Sequence, residues 1–257
     1  MNDRIARERA FHDARFAHEL GARPADRFYA VNRASNAYFQ RIIDAAPPDA
    51  RVLEIGCGDG AHAALYAASR GLSVTAVDVS AVAIEHARSE AERRGVEGRI
   101  EFAVMNAEEL SLDTRSFELV CGLGVLHHLD LQQALAEASR VSTSDGVAVF
   151  VEPLAHNPVL GFYRRLTPAQ RTIDEHPLRA KDLETLKWHF ANAEIAYFHL
   201  LTMLALPLAG RASFEPMLGR LEALDRLVFR SPLRSWAWMV GMRLMGPKAV
   251  IRPSWAW

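Results

Sequence analysis

Three glycines in the run Val52-Leu53-Glu54-Ile55-Gly56-Cys57-Gly58-Asp59-Gly60 follow an apolar stretch and precede a helix-like one. Glycine lacks the Cβ that would hold a ligand away from the backbone, and it tolerates the tight turn such a loop requires. Read on through Ala61, the loop also fits the dinucleotide spacing G-x-G-x-x-G/A, so by itself it specifies only a nucleoside-type cofactor. Asp78 closes the next strand-like run, Val74-Thr75-Ala76-Val77. A carboxylate there can accept from both hydroxyls of a ribose, and a charged hydrogen bond of this kind contributes about 1.5–3 kcal/mol. The alternative duty, capping the next helix, can be met by Ser80. Further on, His127 and His128 follow another apolar run. An imidazole, with an ordinary pKa of about 6.5, is suited to take up a proton near neutrality.

These residues need a frame, and the hydrophobic pattern supplies one. Residues 3–46 read as helical, with Phe11, Phe16 and Leu20 on one face and Tyr38, Phe39, Ile42 and Ile43 on a second, until Pro47-Pro48 stops the pattern. Strand-like and helix-like stretches then alternate: strand 52–55, helix 61–69, strand 73–77, helix 81–94, strand 100–104, strand 117–121, helix 131–141 and strand 147–152. Such alternation predicts an α/β fold, a mostly parallel, doubly wound sheet of seven strands with helices on both faces. Residues 153–178 read as a polar, proline-bearing segment, followed by helix 180–190, strand 194–204, helix 218–229 and strand 236–244, the late strands forming an antiparallel edge. We expect one domain over 1–257, with an N-terminal helical lid (1–46), a cofactor-binding core (47–153) and substrate-side loops that complete the sheet (154–257).

Composition narrows the class of partner. Thirty basic side chains against 31 acidic ones give a formal charge of -1 over 257 residues, so no long-range field gathers the chain onto nucleic acid. The two cysteines, Cys57 and Cys121, have no metal-ligand spacing and suit a reducing cytoplasm. The first residues lack the apolar stretch of about 7–15 positions that marks a signal peptide. The apolar run 196–209 falls short of the roughly 20 residues of a spanning helix and is interrupted by His199 and Pro207, so it reads as buried strand plus loop. With Trp236, Trp238, Trp255 and Trp257 it leaves room for a lipidic acceptor, a peripheral membrane contact or a homodimer interface, beside a monomer.

At this point the residues resemble the class I methyltransferases, a Rossmann-like family that uses S-adenosylmethionine. Glu54, Gly56, Gly58 and Gly60 match its E-x-G-x-G-x-G signature. Asn106-Ala107-Glu108-Glu109-Leu110 resembles the D-A-x-x-L segment beside the adenine, with an amide in place of the usual aspartate that can still donate or accept there. Phe117-Glu118-Leu119-Val120 and Val125-Leu126-His127-His128-Leu129 resemble the fourth-strand signature. The likeness covers residues 52 to 129 and implies a cofactor site built from Glu54, Gly56, Cys57, Gly58, Gly60, Asp78, Val79, Asn106, Ala107 and Gly122. S-adenosylhomocysteine would be the product.

Transfer of a sulfonium methyl is an in-line displacement, so alignment is the main task and can supply about 7–11 kcal/mol. An acceptor that starts protonated adds a second task; for a phenol of pKa about 10, ionisation at neutral pH costs about 4 kcal/mol. Leu126-His127 resembles the I-L-H of small-molecule O-methyltransferases whose histidine is the base, which makes His127, with His128 beside it, the expected catalytic group. The pair can also be read as a helix start with one imidazole bonded to backbone. Glu152 and His156, after the fifth strand, are expected at the acceptor, or else on loop backbone groups. Phe11, His12, Phe28 and Tyr29 are expected in the lid, Tyr29 against the substrate, although a helix packed on the sheet would also account for them. No metal site is expected. A small-molecule methyltransferase, most of all one acting on oxygen, is thus weighed against an NAD(P)-dependent oxidoreductase, which leaves the fourth-strand signature unexplained, and a non-catalytic S-adenosylmethionine-binding protein.

Overall fold

The computed structural model describes residues 3–17, 26–60, 62–167 and 172–248. Leu20, Ala61, Trp255 and Trp257, used above, lie outside them.

Five parallel strands form the core: β1 (Arg51–Ile55), β2 (Ser73–Asp78), β3 (Ile100–Val104), β4 (Phe117–Leu123) and β5 (Ser142–Pro153). Between them run α3 (His62–Ser69), α4 (Ala81–Arg94) and α5 (Leu131–Val141). The sheet has seven strands in the order β3-β2-β1-β4-β5-β7-β6. Its far side is the antiparallel pair expected from the tail: β7 (Met239–Pro247) runs against both β5 and β6 (Phe190–Phe198). Neighbouring residues of one strand feed opposite cores, Val52 joining Phe39, Ile43, Leu65, Ile84 and Leu218 on one face, and Leu53 joining Leu135 and Leu186 on the other. Burial on both faces is why these strands read as nearly unbroken apolar runs. The first face is covered by α2 (Arg33–Asp44), α3, α4 and α8 (Phe214–Val228), the second by α5 and α7 (Ala180–His189).

Helix starts follow their caps. Ser80 accepts from Ala83 N at 3.1 Å to open α4, Gly95 at φ 67° closes it, and Asp130 opens α5. Two expectations are corrected. The segment 153–178 contains α6 (Pro158–Leu166), opened by Asn157, whose Oδ1 accepts from Leu160 N at 3.1 Å, with Pro158 in the first turn. The apolar run 196–209 leaves β6 at Phe198 and continues as a 3-10 turn over Thr202–Leu208. Buried Asp225 forces that change by accepting from the amides of Leu200, Leu201 and Thr202 at 3.1, 2.7 and 3.3 Å. Among the described residues no helix is long and apolar enough to cross a membrane.

At the amino end, α1 (Asp3–Ala17) lies across the carboxyl ends of the strands, and a 3-10 segment (Asp26–Val31) leads into α2. Asp13 meets Ser80 Oγ at 2.5 Å, Arg7 pairs with Asp174 at 2.9 Å, and Arg4 reaches the His128 carbonyl at 2.9 Å and the Glu108 carboxylate. The strand order reverses between β1 and β4, which leaves a crevice beneath this helix.

Candidate active site

A cavity of about 650 Å³ occupies that crevice, bounded by Gly56, Cys57, Gly58 and Asp59, by Asp78 and Val79, and by Met105 to Glu108, with Glu8, His12 and Phe16 of α1 above. Gly56 has φ 67°, and a Cβ there would fall 2.2 Å from Val125 Cγ2, so loop and β4 turn approach as closely as bare backbone permits. The Gly56 and Cys57 amides donate to Val77 O at 2.8 and 3.1 Å. Gly58 N donates to Asp78 Oδ2 and Ser80 N to Oδ1, both at 2.9 Å. Each carboxylate oxygen thus holds one backbone donor, and a carboxylate with about four lone-pair sites can accept two hydroxyls more. Asn106 Oδ1 accepts from Glu108 N at 3.1 Å, which closes the turn after β3. Burial pushes the Cys57 thiol well up, so it lines the loop as an inert apolar group.

The other half of the cavity is built around His127. Glu152, fully buried on β5, accepts from the Val125 and Leu126 amides through Oε1 at 2.9 Å each, and its Oε2 lies 2.7 Å from His127 Nδ1. With Nδ1 committed to a carboxylate, the remaining ring nitrogen, Nε2, is the one available for proton chemistry. His128 faces α1, its Nδ1 3.2 Å from Glu8 Oε2, and burial, with His127 next to it, lowers its pKa. Glu175 is raised by burial but more strongly lowered by His127, His128 and Arg164, the last at 2.9 Å. Phe28 packs on Tyr163 and Trp238, with ring centroids 5.3 and 6.2 Å apart, and gives this half an aromatic wall. An open trough at the opposite ends of β1, β2 and β3 holds none of the candidate residues.

Residues 53–150 match the family model of the methyltransferase domain, the segment that runs from β1 into β5 and carries the glycine loop, Asp78, Asn106 and the 125–128 turn. That segment is a methyltransferase domain of the class I S-adenosylmethionine-dependent kind. The chain is 34% identical over 97 residues to 27-O-demethylrifamycin SV methyltransferase of Amycolatopsis mediterranei, covering 37% of this chain and 36% of that one. It is also 34% identical over 108 residues to sarcosine/dimethylglycine N-methyltransferase of Halorhodospira halochloris, covering 42% and 39%. The matches therefore span well under half of either relative. In fold the chain is similar to geranyl diphosphate C-methyltransferase from Streptomyces coelicolor A3(2), solved with Mg2+, geranyl diphosphate and S-adenosylhomocysteine; the TM-score is 0.64 at 14% identity over 95% of this chain and 98% of that one.

Within this class I framework, several sequence-derived assignments need correction. Glu54 does not reach the cavity: it is buried and receives the Ala63 and Ala64 amides at 3.3 and 2.8 Å, so it holds the start of α3 to β1. Burial pushes its carboxyl up to about 8, against the pull of those amides. Gly60 sits behind the loop, where a Cβ would meet the His62 ring at 2.8 Å, and Gly122 packs beneath it against Val125 and Phe150. Glu152 does not face the acceptor, because all its exposed surface is gone and its oxygens serve the turn and His127. His156 points away from the cavity and accepts from Ala180 N at 3.3 Å at the start of α7. Gly56, Cys57, Gly58, Asp78, Val79, Asn106, Ala107, His127, His128 and Tyr29 do line the cavity, Tyr29 at its mouth with 54% exposure. Arg4, Glu8 and Arg164 line it too and went unread; Glu175 and Trp238 also line it, the latter read from the sequence only as part of a lipid- or partner-facing tail. Only Glu8 and His12, one helical turn apart, left any local signal; the others meet through tertiary folding.

Proposed function

We propose that the chain transfers a methyl group from S-adenosylmethionine to oxygen of a small-molecule acceptor and releases S-adenosylhomocysteine. The observation that carries this reading is the His127 imidazole on the crevice wall, held through Nδ1 at 2.7 Å by fully buried Glu152. The site fits the cofactor because Gly56 and Gly58 present backbone where a side chain would intrude, and Asp78 keeps accepting capacity for two ribose hydroxyls. Held by Gly56, Gly58 and Asp78, S-adenosylmethionine would supply a sulfonium methyl for the acceptor oxygen, with the neutral thioether of S-adenosylhomocysteine as the leaving group.

The protein's own work is then positional and protic. Glu152 fixes the tautomer with hydrogen on Nδ1, which leaves the Nε2 lone pair to take the acceptor's hydroxyl proton, and the same carboxylate steadies the imidazolium that results. Base assistance of this kind is worth about 10²–10⁴ in rate. Helix α1 covers the crevice and excludes water. Phe28, Tyr163 and Trp238 support an acceptor with an apolar or aromatic body, and the cavity falls in the roughly 300–1,000 Å³ range of small-ligand sites. That size and the near-zero net charge favour a small molecule, lipidic ones included, over nucleic acid. The buried free thiols of Cys57 and Cys121 favour a reducing compartment, the cytoplasm. We assign one domain, with residues 1–46 as lid, acting as monomer or homodimer.

The test is to offer labelled cofactor and a cell extract and to identify the product by mass spectrometry. A product heavier by one CH2 unit on oxygen, with His127→Ala slower by about a hundredfold or more, is the expected result. An unchanged rate in His127→Ala removes the base, and a product methylated on nitrogen or carbon removes the oxygen assignment. Thermal stabilisation by S-adenosylhomocysteine but not by NAD or NADP separates the reading from an oxidoreductase.

A further inference from the structure

Glu8 and His12 stand one turn apart on α1 and meet His128, in the 3-10 turn after β4, at the roof of the cavity. Glu8 Oε2 lies 3.2 Å from His128 Nδ1 and 3.5 Å from His12 Nε2, and the three ligand-type atoms all fall within 4.8 Å of one another. These are ion-pair lengths, yet neither Glu8 oxygen nor His128 Nδ1 takes part in a properly angled hydrogen bond, and all are shielded from solvent. Glu8 is only 5% exposed. A buried carboxylate is costly unless its lone pairs are met.

A cation held between the three groups would meet those lone pairs. At metal–ligand bonds of about 2.0–2.1 Å, a tetrahedral ion sets its ligand atoms about 3.3–3.4 Å apart, between the two separations found here. We propose that Glu8, His12 and His128 bind a borderline divalent cation of the zinc type, in a three-ligand site whose fourth position opens to the cavity. Two imidazoles and one carboxylate suit Zn2+, Co2+ or Ni2+ better than Mg2+, which prefers oxygen alone. A second cluster, His127, His128 and Glu175, shares His128 but is less suited, because the Glu175 carboxylate is engaged by Arg164. With two ligands on α1 and one on the β4 turn, the ion would fasten the roof to the rim. Nothing in the site requires bound cofactor or acceptor.

The experiment uses the untagged full chain, stripped of metal with a chelator that is then removed, and titrated with Zn2+ by calorimetry and with Co2+ by absorption. One equivalent binding in the micromolar range or tighter, with the intense visible bands of tetrahedral Co2+ and a raised thermal transition, is expected. Glu8→Gln and His12→Asn each weaken binding by about a hundredfold or more, since even the loss of an outer partner costs about 10–100-fold. His156→Ala, on the surface by α7, leaves it unchanged. Absence of binding, or binding that survives both α1 substitutions, overturns the site. Titration of the same proteins with S-adenosylhomocysteine reports the crevice separately: bound product without bound metal refutes the cation site alone, and bound metal without bound product refutes the methyl-transfer reading alone.

Discussion

Replacing Glu152 by glutamine exchanges one buried oxygen for an NH2 group and should reverse the tautomer of His127. In the native site Oε1 accepts from Val125 and Leu126 at 2.9 Å each, so the glutamine carbonyl is retained there, where two donors demand it. The NH2 group then faces His127 Nδ1, where the carboxylate oxygen stood 2.7 Å away. That contact is favourable only if Nδ1 accepts, which moves the ring proton to Nε2 and removes the lone pair the acceptor needs. The loss should approach the whole base contribution, about 10²–10⁴ in kcat. Exchanging a charged for a neutral hydrogen bond, beside a His127 amide already 3.4 Å from Oε2, should cost about 1–3 kcal/mol of stability. Methyl incorporation into the acceptor fraction reads the rate, S-adenosylhomocysteine titration confirms an intact crevice, and imidazole 15N shifts report the tautomer without any acceptor. A second substitution, His127→Ala, should add little to Glu152→Gln, because the two act as a unit. A His127 ring that keeps its Nδ1 proton in Glu152→Gln, or a kcat within about threefold of native with product binding intact, would refute the reasoning.

Gly56→Ala combines left-handed strain of about 1–2 kcal/mol with overpacking of about 1–3 kcal/mol against Val125; Gly95→Ala, at the same φ of 67° but with nothing within 4 Å, carries the strain alone. Urea unfolding should rank Gly56→Ala well below Gly95→Ala, and equal losses would sink the steric argument. Asp78→Asn sets an NH2 against the Gly58 or Ser80 amide and weakens the ribose grip, so S-adenosylhomocysteine should bind ten- to a hundredfold less tightly, about 1.5–3 kcal/mol, by calorimetry; unaltered affinity would place the ribose elsewhere. Burial lowers the His199 pKa to about 3, while the unfolded chain protonates this residue near about 6.5. The neutral form is the folded one, so its stability contribution is complete above that value and drains as pH falls toward 3, by at most about 1.4 kcal/mol per pH unit. Glu54, raised to about 8, acts with the opposite sign, so the native chain must be compared with His199→Asn. Between pH 7 and pH 5 the native chain should lose about 2 kcal/mol more than the variant in urea unfolding, and identical slopes in the two would remove His199 from the account.

What residues 51 to 153 do locally was legible in the chain itself. Apolar runs of strand length, Ser80 and Asp130 as caps, and Gly56 and Gly58 where φ is positive each act through a few neighbouring residues, and the limits of α4, β3 and α5 follow from them without reference to the rest of the molecule. The Asn157-Pro158 start of α6 was equally local and was obscured by the polar residues around it.

Partnership across strands was not legible, and it is what builds the site. Glu152 belongs to a strand end and was expected at the acceptor. Because β5 pairs with β4 with Val151 opposite Leu123, its carboxylate falls under the 125–127 turn and is sealed there. Glu54 is diverted in the same way to the start of α3, and Glu8, His12, His128 and Glu175 converge only once α1 crosses the strand ends. Sequence periodicity fixes which face a residue takes on its own element. Which polar group waits on the neighbouring element depends on sheet order and helix placement, set by burial of the whole core rather than by any short stretch of chain.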